Sequence, residues 1–158
     1  MSADLKAHRL AVVLVHPQIA PNTGNIGRLC AATGATLHLV RPLGFVLSDR
    51  NLKRAGMDYW HELDVTIHDD LANYLAAFPD TTKWLLTSKG TRSLFDAQFS
   101  ASDHLLLGSE SAGLPESLTA GDPEHCIRIP QAAGQRCLNV STAAGISLYE
   151  ALRQTATS

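Results

Sequence analysis

No apolar run in this sequence approaches the roughly 20 residues that a membrane span needs. Residues 1–9 are polar and lack the apolar core of a signal peptide, so the expected compartment is the cytoplasm, with no membrane partner. The three cysteines, Cys30, Cys126 and Cys137, form no CxxC pair, which leaves a structural zinc site without support. An odd count in such a chain reads as free thiols. An excess of positive charge is missing too: 13 Lys and Arg stand against 15 Asp and Glu, a net charge of -2. A nucleic-acid role therefore requires the positive groups to be clustered or pooled across a dimer. Seven histidines allow a more positive surface below about pH 6.5.

Several motifs are absent as well. The first strand–helix junction reads Asn22-Thr23-Gly24-Asn25-Ile26-Gly27-Arg28, which does not match the GxGxxG dinucleotide fingerprint. No P-loop occurs, and His61-Glu62 lacks the second histidine of a zinc-protease helix. Ser109-Glu110-Ser111-Ala112-Gly113 resembles the GxSxG elbow of serine hydrolases, with His104 and His125 as candidate bases. The glycine that relieves crowding in that turn is replaced by Ser109.

What is present is a chain of 158 residues, 45% hydrophobic, with no repeat, linker or low-complexity tract. One globular domain over residues 1–158 is expected. Apolar runs at 10–15, 36–40, 65–67, 83–87, 104–107 and 126–129 read as strands. Helical stretches fall at 26–33, from Ser48 or Asp49 through Lys53 and Arg54 to Gly56, from Asp69 or Asp70 to about Phe78, and at 140–153 behind Asn139. Alternating strands and helices predict an α/β fold with a largely parallel sheet flanked by helices. Strands apolar throughout fit a sheet covered on both faces. Ligands in such sheets sit at the C-terminal strand ends, which singles out the loops after Thr87, Leu107 and Ile129.

Three segments carry candidate chemistry. Residues 17–28 combine a proline-rich turn with Asn22, Asn25 and Arg28 near a helix start, suited either to a phosphate or to a plain turn with a surface arginine. Residues 108–115 have glycines that allow a ligand close to the backbone; an ordinary tight turn would read the same. Glu110 there either accepts hydrogen bonds or faces solvent. In the third, Ile127-Arg128-Ile129-Pro130-Gln131 leads to Arg136-Cys137-Leu138-Asn139-Val140-Ser141, a strand end, a polar loop and a helix cap. An apolar strand end beside exposed amides suits a nucleobase; Asn139 and Ser141 also suit simple capping.

Together these segments resemble the three motifs of the SPOUT methyltransferase superfamily, in its TrmH-like, 2'-O-methylating branch. The matching residues are Pro21-Asn22-Thr23-Gly24-Asn25-Ile26 with Arg28, then Gly108, Glu110 and Gly113-Leu114-Pro115, then Ile127-Arg128-Ile129-Pro130 with Asn139 and Ser141. Arg54-Ala55-Gly56-Met57-Asp58-Tyr59 and Tyr149-Glu150 are similar to the compact TrmL (YibK-like) subfamily. The chain departs from that subfamily at Ser109, Ala112 and Cys137, where proline, arginine and serine are common.

The resemblance implies a C-terminal deep trefoil knot, a homodimer and S-adenosylmethionine as methyl donor, with S-adenosylhomocysteine as product and no metal. It places Leu86, Thr87, Gly108, Ile129, Cys137 and Leu138 around the donor. Arg28, Asn139, Ser141 and Tyr149 are implied as catalytic, and Asn25, Arg28, Lys53, Arg54 and Lys89 as RNA-binding. The implied activity is methylation of the ribose 2'-hydroxyl of tRNA nucleotide 34, cytidine or a modified uridine. Methylation at another tRNA or rRNA position, or RNA binding without catalysis on the same fold, are its alternatives.

Overall fold

Strands β1 (Ala11–Val15), β2 (Thr36–Val40), β3 (Val65–His68), β4 (Lys83–Leu86), β5 (Arg92–Ser93), β6 (His104–Leu107) and β7 (Cys126–Arg128) form one sheet in the order β3-β2-β1-β6-β4-β7-β5. Every pairing in it is parallel. The structure is a computed structural model that describes residues 4–157 other than Ala55 and Met57. The stretch 54–59 of the subfamily resemblance therefore lies partly outside the described residues.

The side-chain alternation of the strands explains why they are largely apolar. Val12, Leu14, Leu37, Leu39, Leu105 and Leu107 face one core with Ile26 and Cys30 of helix α1 (Ala20–Thr33) and Ala144, Leu148 and Leu152 of helix α5 (Val140–Thr155). Val13, Val15, Val40, Leu85 and Leu106 face the other, covered by Tyr74 of helix α3 (Leu71–Ala77) and Leu118 of helix α4 (Glu116–Gly121). With both faces covered, the strands are largely apolar, and the polar exceptions on the second face are the buried His38, His68 and His104.

Helix α1 starts at Ala20, six residues before the expected 26–33. Pro21 occupies its first turn, where a missing N–H costs nothing and the fixed φ is already helical. Asn22, Thr23 and Gly24 continue the helix and are buried, although their residue types read as a turn. Gly34 ends it in a left-handed conformation, φ 78°, its N–H donating to the Cys30 carbonyl at 2.9 Å. Ser48 caps helix α2 (Asp49–Arg54), its hydroxyl accepting from the Asn51 N–H at 3.2 Å. Asp70 caps α3 through the Asn73 N–H at 2.7 Å. Strand β5 and helix α4 escaped the sequence reading because two and six residues show no periodicity. Among the described residues, no helix is long and apolar enough to cross a membrane.

β7 lies between β4 and β5, which are joined only by residues 87–91. That connection crosses the backbone of β7: a Cβ on Gly90 would stand 2.8 Å from the Ile127 carbonyl carbon. The Thr87 N–H also donates to the Ile127 carbonyl at 3.0 Å. A C-terminal segment threaded through a loop requires this local arrangement.

Under α3, the second core holds three histidines. His38 and His68 share a hydrogen bond at 3.0 Å, and His104 shares one with the Tyr74 hydroxyl at 2.7 Å. Burial pushes His38 and His104 down to about 4, with the neighbouring imidazoles adding to the effect. Both stay neutral in the fold at pH values where an unfolded histidine is charged. The stability this gives is complete at neutral pH and is lost as pH falls from about 6.5 toward 4. Urea unfolding is expected to weaken across that window by up to roughly 1.4 kcal/mol per pH unit for each proton taken up. A midpoint that is flat from pH 7 to 4.5 would contradict the buried neutral cluster.

Candidate active site

The C-terminal ends of β1, β4, β6 and β7 open into one cavity of about 1110 Å³. The loops after Thr87, Leu107 and Ile129 all wall it. That volume is at the upper end of the roughly 300–1,000 Å³ of ordinary ligand pockets. A second hollow of about 580 Å³, among Thr82, Trp84, Arg92, Asp103 and His125, opens at the opposite strand ends, away from the three loops.

Loop 108–115 is a tight hairpin. Ser109 and Gly113 exchange backbone hydrogen bonds of 3.3 and 3.0 Å. A Cβ on Gly108 would stand 1.9 Å from the Gly113 carbonyl carbon, so only glycine lets the loop close. The hairpin is latched to the segment before α1. Glu110 accepts from the N–H groups of Gln18 (2.8 Å) and Ile19 (3.3 Å), while the Gln18 side-chain oxygen accepts from the N–H (3.0 Å) and hydroxyl (2.7 Å) of Ser111. A carboxylate thus already occupies the N–H groups ahead of α1 that the sequence offered to a phosphate.

The same contacts remove the hydrolase alternative. The Ser111 hydroxyl donates to Gln18, His104 is buried with Tyr74, and His125 pairs with Asp122 at 2.8 Å, so no histidine bonds the serine.

Asn139 caps α5, its side-chain oxygen accepting from the N–H (2.9 Å) and hydroxyl (2.6 Å) of Ser141. Its amide nitrogen donates to the Asn22 side-chain oxygen at 3.1 Å, tying the starts of α5 and α1 together beside the cavity. Capping and site-building are therefore one arrangement here.

The structure brings Leu86, Thr87, Gly108, Ile129, Cys137 and Leu138 into this one wall, with Lys89 and Asn139. Leucine and isoleucine side chains beside glycine backbone suit the flat apolar face and polar edge of an adenosine. Asn25 and Arg28 are exposed on α1, outside that wall, and Tyr149 is half-exposed on α5. Lys53 and Arg54 are exposed at the end of α2, which places them, too, apart from the cavity. Among the described residues, no group of three His, Cys, Asp or Glu side chains is placed to hold a metal ion.

Three residues take a place at the site that the sequence did not give them, Arg128 and Tyr59 having entered only as parts of the matched stretches 127–130 and 54–59. His16 lines the cavity, and so does Arg128. Tyr59 donates its hydroxyl to the Gly24 carbonyl and lays its ring against Gly27, where a Cβ would meet it at 3.4 Å. Burial raises the Tyr59 phenol, which keeps it a donor beside Arg28. Packing between residues far apart in sequence sets the positions of His16 and Tyr59, whereas Arg128 is placed by the end of β7.

A family model described as the SpoU rRNA Methylase family matches residues 9–149. A tRNA (cytidine(34)-2'-O)-methyltransferase of Methylovorus glucosotrophus (strain SIP3-4) is 44% identical over 144 residues, covering 90% of this chain and 94% of that protein. A solved structure described as giving structural insights into the 2-OH methylation of C/U34 on tRNA superposes with a TM-score of 0.87 at 45% identity, covering 93% of this chain and 96% of that one. An AdoMet-bound rRNA methyltransferase from Sinorhizobium meliloti superposes with a TM-score of 0.81 at 28% identity, covering 92% of this chain and 56% of that one.

Proposed function

The chain belongs to the SpoU methylase family, and on that premise we propose that it methylates the ribose 2'-hydroxyl of tRNA nucleotide 34, a cytidine or modified uridine, using S-adenosylmethionine. The observation that carries this reading is the closure of three loops, from residues 87, 108 and 130 onward, around one cavity at the C-terminal strand ends. Relatives named for cytidine-34 2'-O-methylation, matched over nine-tenths of the chain, support the nucleotide.

When bound, the donor supplies a methyl group on a sulfonium, and S-adenosylhomocysteine is released. The chain's part is orientation and charge. Leu86, Gly108, Ile129 and Cys137, with Thr87 and Leu138 beside them, hold the donor. Asn139 and Ser141 fix the start of α5 at the rim. Arg28 holds the phosphate and ribose and stabilises charge on the attacking oxygen. Asn25, Lys53, Arg54 and Lys89 bind the tRNA backbone.

The enzyme works as a homodimer in the cytoplasm. Tyr149 and Ile146 are exposed one helical turn apart on α5, and Arg28 stands outside the cavity of its own chain. A second copy meeting that surface would bring Arg28 and Tyr149 to a cavity.

The test is mass spectrometry of tRNA nucleosides and fragments after incubation with enzyme and donor. A 2'-O-methyl group at position 34 is expected. A methyl on a base, or on the ribose of another position, would refute the assignment.

A further inference from the structure

In α1 the Gly24 carbonyl lies one turn before the Arg28 N–H, the partner that a regular helix gives it. Tyr59 enters this turn from outside. Its hydroxyl donates to the Gly24 carbonyl. Burial pushes the phenol up, and a hydrogen bond from the Arg28 backbone N–H to its oxygen pulls against that. One side chain thus holds the acceptor and the donor of the same turn. The ring reaches so far because Gly27 has no side chain: a Cβ there would stand 3.4 Å from Tyr59 Cε2 and Oη and 3.2 Å from Leu63 Cδ2. Trp60, which begins the 3-10 turn Trp60–Glu62, and Leu63, which follows it, pack against the first core and fix the segment that carries Tyr59.

The helix does not need this contact. Its own ladder satisfies the Gly24 carbonyl, and a half-buried phenol can give its hydrogen bond to water. A bare phenyl ring would pack against Gly27 as well. What the hydroxyl adds is a fixed place for the backbone of residue 28. The Arg28 side chain is exposed and makes no ion pair among the described residues, so the backbone of α1 is what aims it.

We propose that Tyr59 is a positioning residue for methyl transfer, its hydroxyl fixing the turn of α1 that aims Arg28 at the ribose and phosphate. The inference rests on the ribose-methylation reading above and on the place of Arg28 in it. Tyr59 itself is outside the cavity wall, so it acts through Arg28. Its segment continues from α2, where Lys53 and Arg54 are exposed. Tyr59 therefore also ties the tRNA-binding cations to the Arg28 turn. Rates that depend on orientation fall steeply when a group is displaced by a fraction of a bond length, which is why one distant hydroxyl matters.

The test removes that hydroxyl alone. In the full-length protein, Tyr59→Phe should lower the single-turnover rate of ribose methylation about 10-fold at saturating donor and tRNA. Donor and tRNA affinities should hold, and the thermal midpoint should stay within about 3 °C. A double-mutant cycle supplies the readout that packing alone would not move. In an Arg28→Ala background the same change should cost no further rate, because the turn then has nothing to aim. Gly27→Ala disturbs the contact from the other side. Its Cβ pushes on the ring while alanine favours the helix, so the rate should fall with a midpoint equal to or above that of the parent. A Tyr59→Phe rate within about twofold of the parent would overturn the proposal. So would a loss of about 10-fold that persists in the Arg28→Ala background, or losses in both variants that track lowered midpoints. A parent enzyme that methylates no ribose would overturn the underlying reading as well, whereas an active parent with an unaffected Tyr59→Phe overturns only the role of Tyr59.

Discussion

Replacing Arg28 with alanine is expected to cut methyl transfer by about 10²–10³-fold while leaving donor affinity and thermal midpoint unchanged. The three parts of that expectation have separate origins. Arg28 is exposed on α1 and makes no ion pair among the described residues, so truncation should cost the fold only a few tenths of a kcal/mol. It does not line the cavity of its own chain, so donor binding should persist. Its fixed guanidinium is matched to a phosphate and to charge developing on an attacking oxygen, so the chemical step should fail. Arg28→Lys keeps the charge but not the fork, and should recover only part of the rate. Near-normal single-turnover rates in Arg28→Ala would remove the residue from the mechanism. A lost donor affinity would place it in the wrong part of the site.

Gly108→Ala is expected to weaken S-adenosylmethionine binding by at least about 100-fold and to lower the thermal midpoint. The new Cβ would lie 1.9 Å from the Gly113 carbonyl carbon, 2.1 Å from the Leu114 nitrogen and 2.3 Å from the Gly113 oxygen. These are backbone atoms, so no side-chain rotation relieves the overlap. The hairpin must open, and it carries Glu110 and Ser111 away from Gln18 and Ile19. One substitution therefore disturbs a cavity wall and the start of α1 together. Gly113→Ala is the matched control. Gly113 sits at φ 68°, and a Cβ there would meet nothing within 4 Å, so the change carries only the left-handed backbone cost of about 1–2 kcal/mol. Equal calorimetric affinities for the parent and Gly108→Ala would show that the hairpin does not shape the donor site.

The parallel sheet could be read from the sequence because burial on both faces makes its strands continuous apolar runs. Thr36–Val40 was legible to the residue for that reason. The start of α1 was not, since Pro21, Asn22, Thr23 and Gly24 are turn formers wherever tertiary burial does not overrule them. The same division holds in the site. The loops after Thr87, Leu107 and Ile129 were legible because ligands gather at C-terminal strand ends, and all three wall the cavity. The Glu110 latch joins residues 92 positions apart and leaves no local pattern. Arg28 carries a motif but stands outside the cavity its neighbours line, which a single chain's spacing could not disclose.

A crystal structure with S-adenosylhomocysteine bound tests the central claim most directly. The adenosine is expected between residues 87–91, 108–115 and 130–139, in contact with Leu86, Gly108 and Ile129. Density for the ligand in the hollow beside Trp84 and His125, at the opposite strand ends, would contradict it.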